Sequence, residues 1–116
     1  MSEPKLKAKL FVHAALRICA VQAIPAVVVK KGDEDAGTVL VKLNRADLGC
    51  CVYTQVRDSE GRLAWLCTTG ATPVSEAEAD SRIARAREVD WDMWVIEVED
   101  RAGRVPFLDR ILPAKG

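Results

Sequence analysis

Near its C-terminus the chain reads Trp-Val-Ile-Glu-Val-Glu-Asp, which has the two-residue period of a β-strand. Trp94, Ile96 and Val98 share one side of this strand, and Glu97 and Glu99 lie on the other side. A strand that is buried on both faces reads instead as an unbroken apolar run. The alternation therefore predicts an antiparallel sheet with one face in the core and one face in water.

The length and composition indicate one globular domain over residues 1–116, with residues 1–4 and 113–116 as flexible ends. The chain has 116 residues, of which 49% are hydrophobic and 29% charged, and this is ordinary globular composition. Lys plus Arg equals Asp plus Glu at 17 each, so no overall charge attracts nucleic acid or an anionic membrane. No apolar run approaches the roughly 20 residues that span a bilayer.

The four cysteines contain no Cys-x-x-Cys pair and predict neither a zinc knuckle nor a dithiol redox motif. We interpret them as reduced, buried residues of a cytoplasmic protein. A signal peptide is the alternative, because a basic N-terminus precedes an apolar stretch that ends in Val-Gln-Ala. His13 and Arg17 interrupt that stretch and argue against a signal core.

Local patterns predict the order helix, four strands, helix, strand. The first helix is expected over Lys5–Ala23, which lacks Gly and Pro. Two apolar runs, Ala26–Lys31 and Thr38–Leu43, flank an acidic, Gly-bounded loop and predict a hairpin. A second hairpin is predicted from Cys50–Val56 and Arg62–Thr68.

The second helix should begin at Ser75, because Ser75 and Glu78 have the spacing of a capping box. Glu78 and Arg82 then form an i,i+4 pair. Val105–Leu108 is a short edge strand at most, because it contains Pro106. The predicted fold class is α+β: an antiparallel sheet of about five strands with both helices packed on one face.

Carboxylates form two candidate sites. Asp33 and Asp35 lie in the acidic loop and could hold Mg²⁺ or Ca²⁺, although the spacing matches no calcium-binding loop and a solvated turn explains it better. Glu97 and Glu99 lie roughly 6 to 7 Å apart on one strand face. They could share a metal with the loop, whereas a solvent-facing sheet surface is the simpler interpretation.

Lys42, Asn44 and Arg45 end the second strand and could bind a phosphate or a carboxylate. If this strand is a neighbour of the Glu97 strand, cross-strand charge pairing explains both sets without a ligand, and we prefer that account. Trp91 lies at a helix–strand junction and could line an interface. Arg101, just after the last strand, completes the set of candidate binding residues.

Other residue types give weaker signals. His13 has no second His or Cys nearby in sequence, so a structural role is favoured over catalysis. The tryptophans are interpreted as core anchors. Physical grounds disfavour nucleic-acid binding through Arg82, Arg85 and Arg87, because acidic residues are interleaved with them in a chain of zero net charge.

Four separated segments resemble a family of small alphaproteobacterial proteins, domain-of-unknown-function family 1491. They read Ile-Pro-Ala followed by Gly-Asp-Glu-Asp-Ala-Gly, Val-Lys-Leu-Asn-Arg, Glu-Ala-Glu-Ala-Asp, and Trp-Val-Ile-Glu-Val-Glu-Asp-Arg. The resemblance runs through most of the chain in one order. It implies a bacterial cytoplasmic domain with no assigned activity, cofactor or catalytic residue.

The expected function is therefore that of a small cytoplasmic binding or interaction module without catalytic activity and without a cofactor. A metal-assisted hydrolase is the alternative, with the four carboxylates as ligands and Lys42 or Arg45 steadying an anion. Weak nucleic-acid binding is a third interpretation. A homodimer is expected because self-pairing would protect the edges of an open sheet.

Overall fold

A computed structural model describes residues 7–113. Two helices, α1 (Ala8–Val21) and α2 (Glu76–Val89), accompany five strands: β1 (Ala26–Lys30), β2 (Val39–Asn44), β3 (Cys50–Arg57), β4 (Leu63–Cys67) and β5 (Trp94–Glu99). The order α-β-β-β-β-α-β and the α+β class are confirmed. The predicted helix start at Lys5 and the predicted flexible residues 1–4 and 114–116 lie outside the described residues.

The five strands form one mixed sheet in the order β1-β5-β2-β3-β4. The β3–β4 hairpin is confirmed, but the predicted hairpin of β1 with β2 is wrong, because β5 lies between them, antiparallel to β1 and parallel to β2. The acidic loop crosses the start of β5: Asp33 N–H donates to the Asp92 carbonyl and Trp94 N–H to the Thr38 carbonyl. The loop thus spans the inserted strand.

The two helices cover opposite faces of the sheet, so their predicted placement on one face is wrong. Five of the six residues of β2 are buried, so both faces of this strand are covered. Val41 and Leu43 pack in the core beneath α1, whereas Leu40 packs in a second core beneath α2. The face of the sheet that was expected to lie in water is therefore partly covered by α2.

The core on the α1 side contains the apolar side of β5, as predicted. Trp94, Ile96 and Val98 are each at most 3% exposed there. Phe11 of α1 lies 5.8 Å from Trp65 of β4, measured between ring centroids, and both rings contact Phe107. Aromatic pairs of this kind add about 0.5 to 1.5 kcal/mol each beyond their buried area.

Helix α2 begins as its sequence predicts. The Ser75 side chain accepts a hydrogen bond from Glu78 N–H at 3.1 Å, and the Glu78 and Arg82 side chains pair at 2.9 Å. Ala79 and Ile83 are its buried residues. This narrow apolar stripe packs the helix over β2 and β3, with its acidic first turn above Lys42 of β2.

The two edges of the sheet differ. Val105–Leu108 does not form the predicted edge strand; the chain turns there and later runs beside β4, where Trp65 N–H donates to the Arg110 carbonyl and Leu112 N–H to the Trp65 carbonyl, each at 2.8 Å. On the opposite side of the sheet β1 is the last strand. Within residues 7–113 no helix is long and apolar enough to cross a membrane.

Candidate binding site around Lys42

Lys42 is a charged residue in the interior of the protein, where only 5% of its surface is exposed. Its Nζ lies 2.7 Å from Asp80 Oδ1, 2.8 Å from Glu76 Oε2 and 3.6 Å from Glu97 Oε1. Burial by itself would lower the pKa of Lys42, but the hydrogen bonds to Asp80 and Glu76 and the charge of Glu97 outweigh burial and raise it. Lys42 is therefore a permanent ammonium group.

The fold brings these four residues together from three elements. Lys42 and Glu97 are direct partners in the parallel pairing of β2 with β5. Glu76 and Asp80 are i,i+4 neighbours in the first turns of α2, on the side that faces the sheet. Asn44 extends the cluster, because its Nδ2 lies 3.4 Å from both Glu76 Oε2 and Glu97 Oε2. The predicted cross-strand charge pairing is thus present.

A cavity of about 510 Å³ opens beside this cluster, between β1 and α2. Aliphatic side chains of β1, α2 and β5 form its walls. Lys42 and its acidic partners lie on its floor, and two further basic residues line it. The lining residues are Val29, Lys30, Lys42, Asp80, Ile83, Ala84, Arg87, Val95 and Glu97. Small-molecule sites in proteins have volumes of about 300 to 1,000 Å³, and they combine apolar walls with a few convergent polar groups.

The polar floor of the cavity has more acceptors than donors. Lys42 has three N–H donors, and three carboxylates surround them. Each ionised carboxylate can accept about four hydrogen bonds, so the acids retain capacity after pairing with Lys42. Arg87 directs its guanidinium donors at the carbonyl oxygens of Met93 and Trp91, although its positive charge remains at the side of the cavity.

Arg45 and Arg101 form a separate cluster beyond the end of β2. Arg45 Nε donates to the Arg101 carbonyl at 3.1 Å, and the Arg101 guanidinium binds both carboxylate oxygens of Asp47, at 2.7 and 3.1 Å. The hydrogen bond from Arg101 lowers the pKa of Asp47, and the same bond raises the pKa of Arg101. Both arginines thus have partners within the chain.

The loop acids and the strand acids are not brought together. Asp33 Oδ2 accepts the N–H groups of Asp35 and Ala36, and the Asp33 loop lies at the start of β5. Glu99 lies at the other end of that strand, five residues and roughly 16 Å farther on. Among residues 7–113 no group of three or more His, Cys, Asp or Glu side chains could hold a metal ion.

The remaining candidates lie apart from the cavity floor. Trp91 is 75% exposed. Of the α2 arginines, Arg82 donates to Glu78 and to the Thr68 carbonyl, and Arg85 lies 3.9 Å from Glu78. His13 is on the exposed side of α1.

Comparison with known proteins places the chain in a family. A family model described as "Protein of unknown function (DUF1491)" matches residues 6–108. The chain belongs to the DUF1491 family. The resemblance recognised in its four sequence segments is therefore confirmed. No protein with a curated description matches it.

Solved structures of other family members share this fold. A crystal structure of a DUF1491 family protein from Caulobacter crescentus CB15 is 29% identical, with a TM-score of 0.83 over 93% of this chain and 100% of the other. An NMR structure of a DUF1491 family protein from the same organism is 31% identical, with a TM-score of 0.79 over 98% and 100%. The solution structure of protein Atu0922 from A. tumefaciens is 27% identical, with a TM-score of 0.75 over 96% and 100%.

Sequence reasoning missed two of the three acids in this DUF1491 site. Glu76 and Asp80 were not among the candidate residues, yet both bind Lys42. The sequence does contain a sign of this pairing, because Lys42 is the one charged residue in the apolar run Val-Leu-Val-Lys-Leu. A charge inside such a run predicts a strand with both faces buried and a carboxylate above it. Glu76 and Asp80 follow Ser75 at i,i+4 spacing, so one face of the second helix could provide that carboxylate.

Proposed function

We propose that this DUF1491 protein is a small, non-catalytic binding module, and that the cavity beside Lys42 is its binding site. The proposed ligand is a small molecule with an aliphatic body and a cationic end, such as a primary amine or a guanidinium group. The observation that carries the proposal is the coincidence of an open cavity with a cluster of carboxylates around the buried Lys42 on its floor.

The aliphatic part of the ligand follows from the walls. Val29, Ile83, Ala84 and Val95 present only hydrocarbon to the cavity. Burying an aliphatic chain against them stabilises the complex by about 0.8 kcal/mol per methylene group. A chain of several carbon atoms would suit the cavity.

The cationic end follows from the floor. Three carboxylates face one lysine there, so this cluster carries an excess of negative charge and of unused acceptors, while Lys30 and Arg87 line other parts of the cavity. Glu97 contributes most to this preference, because its side chain is only 18% exposed and its charge is poorly screened by water. An ammonium or guanidinium group supplies donors and the opposite charge.

We place this function in the cytoplasm. All four cysteines are free, and three of them are buried. A protein with unpaired thiols is suited to a reducing compartment. The metal-assisted hydrolase is not favoured by the geometry, because its proposed acids lie at opposite ends of β5.

The test is an NMR titration of the labelled protein with three probes of one chain length: hexylamine, hexanol and hexanoate. We expect hexylamine to shift the amide signals of Val29, Ala84 and Val95 and to bind at least about tenfold more tightly than hexanol. Hexanoate should be the weakest. Equal or tighter binding of hexanoate, or no shift in the three amide signals with any probe, would contradict the proposal.

Two variants localise the binding. Ala84→Trp places a large ring at the cavity wall and should abolish the shifts, whereas Ser81→Trp adds the same ring on the exposed side of α2 and should leave them unchanged. Glu97→Gln should weaken hexylamine binding but not hexanol binding. Loss of binding in Ser81→Trp but not in Ala84→Trp would place the site elsewhere.

A further inference from the structure

Strand β1 leaves an apolar edge of the sheet uncovered. Val27 is 59% exposed, Val28 36% and Val29 47%, in three consecutive positions of one short strand. Exposed edge strands usually carry charged residues that prevent pairing with another chain. The opposite edge, β4, is hydrogen-bonded to residues 110–112. In the described part of the chain, β1 is therefore the edge that is open to a further strand.

The hydrogen-bonding groups on the outer side of β1 can be identified from its inner side. Glu99 N–H donates to the Pro25 carbonyl, so residues 25 and 99 form a hydrogen-bonded pair of the antiparallel ladder. Such pairs alternate with non-hydrogen-bonded pairs. Val27, opposite Glu97, then points its N–H and C=O inward, while Ala26 and Val28 point theirs outward.

We infer that β1 pairs antiparallel with β1 of a second copy of this chain, in a register centred on Val27. Ala26 of each copy then lies opposite Val28 of the other. Each of these two pairs exchanges both of its N–H···O=C bonds, which gives about four hydrogen bonds across the interface. Val27 meets Val27 of the second copy as a non-hydrogen-bonded pair, in which side chains approach closely.

The side chains fit this register. Ala26 and Val28 lie on the same face of the sheet as Val98 and Ile96, so opposite residues share a face in both copies. Val27, which is 59% exposed in the single chain, then packs against Val27 of the other copy.

The C-terminal end of β1 restricts pairing to this segment. The β1–β5 register shifts between Val28 and Lys30, so the regular alternation of inward and outward backbone groups ends there. The dimer is isologous, with its two-fold axis perpendicular to the sheet. It joins two five-stranded sheets into one of ten strands, with both α2 helices on the same face.

Sedimentation velocity over a range of concentrations tests the interface. The unmodified chain should show a monomer–dimer equilibrium, and Val27→Lys should raise its dissociation constant at least about tenfold, because two like charges would face each other. Val89→Lys, at an 89% exposed valine on α2, is the matched control and should dimerise like the parent. A monomer at every concentration, or a dimer unaffected by Val27→Lys, would overturn the inference.

Cross-linking tests the register independently. In a Cys67→Ser background, Val27→Cys should form an intermolecular disulfide when oxidised by oxygen with copper phenanthroline, since central Cα atoms would lie about 4.5 Å apart. Val29→Cys should not, because its two copies would lie roughly 13 Å apart. Cross-linking of Val29→Cys instead of Val27→Cys would refute the register.

Discussion

Lys42 and Glu97 are partners on adjacent parallel strands, and the lysine Nζ lies 3.6 Å from the Glu97 carboxylate. This pair is set into the sheet, whereas Glu76 and Asp80 reach Lys42 from α2 at 2.8 and 2.7 Å. The lysine therefore fastens the helix to the sheet. An amphipathic helix usually does this with apolar contacts, but α2 has only two buried residues.

The first prediction is that Lys42→Met destabilises the protein by about 3 kcal/mol. Losing one partner of a buried ion pair costs about 3 to 5 kcal/mol, because the remaining charge stays buried. The lower end applies here, since Glu76 and Asp80 have side chains that are more than half exposed and regain water. Urea unfolding at neutral pH measures the effect.

A matched control and a double variant identify the cause. Lys31→Met removes an exposed lysine 3.8 Å from Glu34 and should cost less than about 0.5 kcal/mol. Adding Glu97→Gln to Lys42→Met should cost less than the sum of the single changes, by at least about 1 kcal/mol. Additive effects would show that Lys42 acts through packing alone.

The second prediction concerns the acid stability conferred by Asp58 in the β3–β4 turn. The N–H groups of Arg62 and Glu60 bind its Oδ1 at 2.9 Å, and Arg110 binds its Oδ2 at 3.1 Å. The hydrogen bond from Arg62 N–H leads the interactions that lower the pKa of Asp58 below 3.8. A lowered pKa stabilises the fold above the ordinary value, and this contribution is lost as the pH falls through the folded value.

Asp58→Asn should therefore be less stable than the parent at pH 7, and the difference should shrink as the pH falls below 3.8 and through the lowered pKa of Asp58 in the folded state. Asparagine keeps an acceptor for the two N–H groups but loses the charge that faces the arginines. Unfolding by urea at a series of pH values measures this. Asp109→Asn, at an exposed aspartate, is the control. A difference that is independent of pH would show that the charge is irrelevant.

The third prediction concerns the acidic loop that crosses β5. A Cβ at Gly32 would overlap the Asp92 carbonyl oxygen and come within 2.7 Å of both Trp94 N and Trp94 Cδ1. Gly32→Ala should therefore cost about 2 to 3 kcal/mol, because backbone must move. Gly61→Ala meets nothing within 4 Å and has only a φ of +79° to strain it, so it should cost about 1 kcal/mol. Thermal unfolding that reversed this order would contradict the account.

The sequence was sufficient for elements with local causes. The capping serine of α2, the β3–β4 hairpin and the alternating strand β5 each depend on residues within one segment, and each is present in the structure. The placement of β5 depends on pairing between distant segments. The residues of the Gly32–Gly37 loop suit a connection to a neighbouring strand and a connection to the next strand but one equally well. The sequence therefore gave no sign that β5 lies between β1 and β2, and the predicted β1–β2 hairpin was wrong.

The site shows the same division. Cross-strand pairing of Lys42 with Glu97 was predicted conditionally, since it needed only that their strands be neighbours. The contribution of Glu76 and Asp80 could not be predicted in that way, because it requires α2 to lie on the face opposite α1. The assumption that both helices share a face left that surface to water. Because α2 was assigned to the wrong face of the sheet, two of the three acids that contact Lys42 were not predicted.

The fourth prediction is that residues 109–112 protect the β4 edge. Their backbone groups hydrogen-bond to the N–H and to the C=O of Trp65, and the Arg110 side chain also binds Asp58. Ending the chain after Leu108 should cost about 2 kcal/mol, at about 1 kcal/mol for each lost backbone hydrogen bond, and should expose an unpaired strand. Self-association through β4 would follow.

Sedimentation of the shortened chain carrying Val27→Lys separates this association from pairing through β1. We expect oligomers to persist in that double variant, because β4 lies at the opposite edge of the sheet. Ending the chain after Leu112 is the matched control, because it keeps every hydrogen bond to Trp65 and should match the parent in stability. If the chain ending at Leu108 stayed as stable and as monomeric as this control, the C-terminal segment would have no protective role.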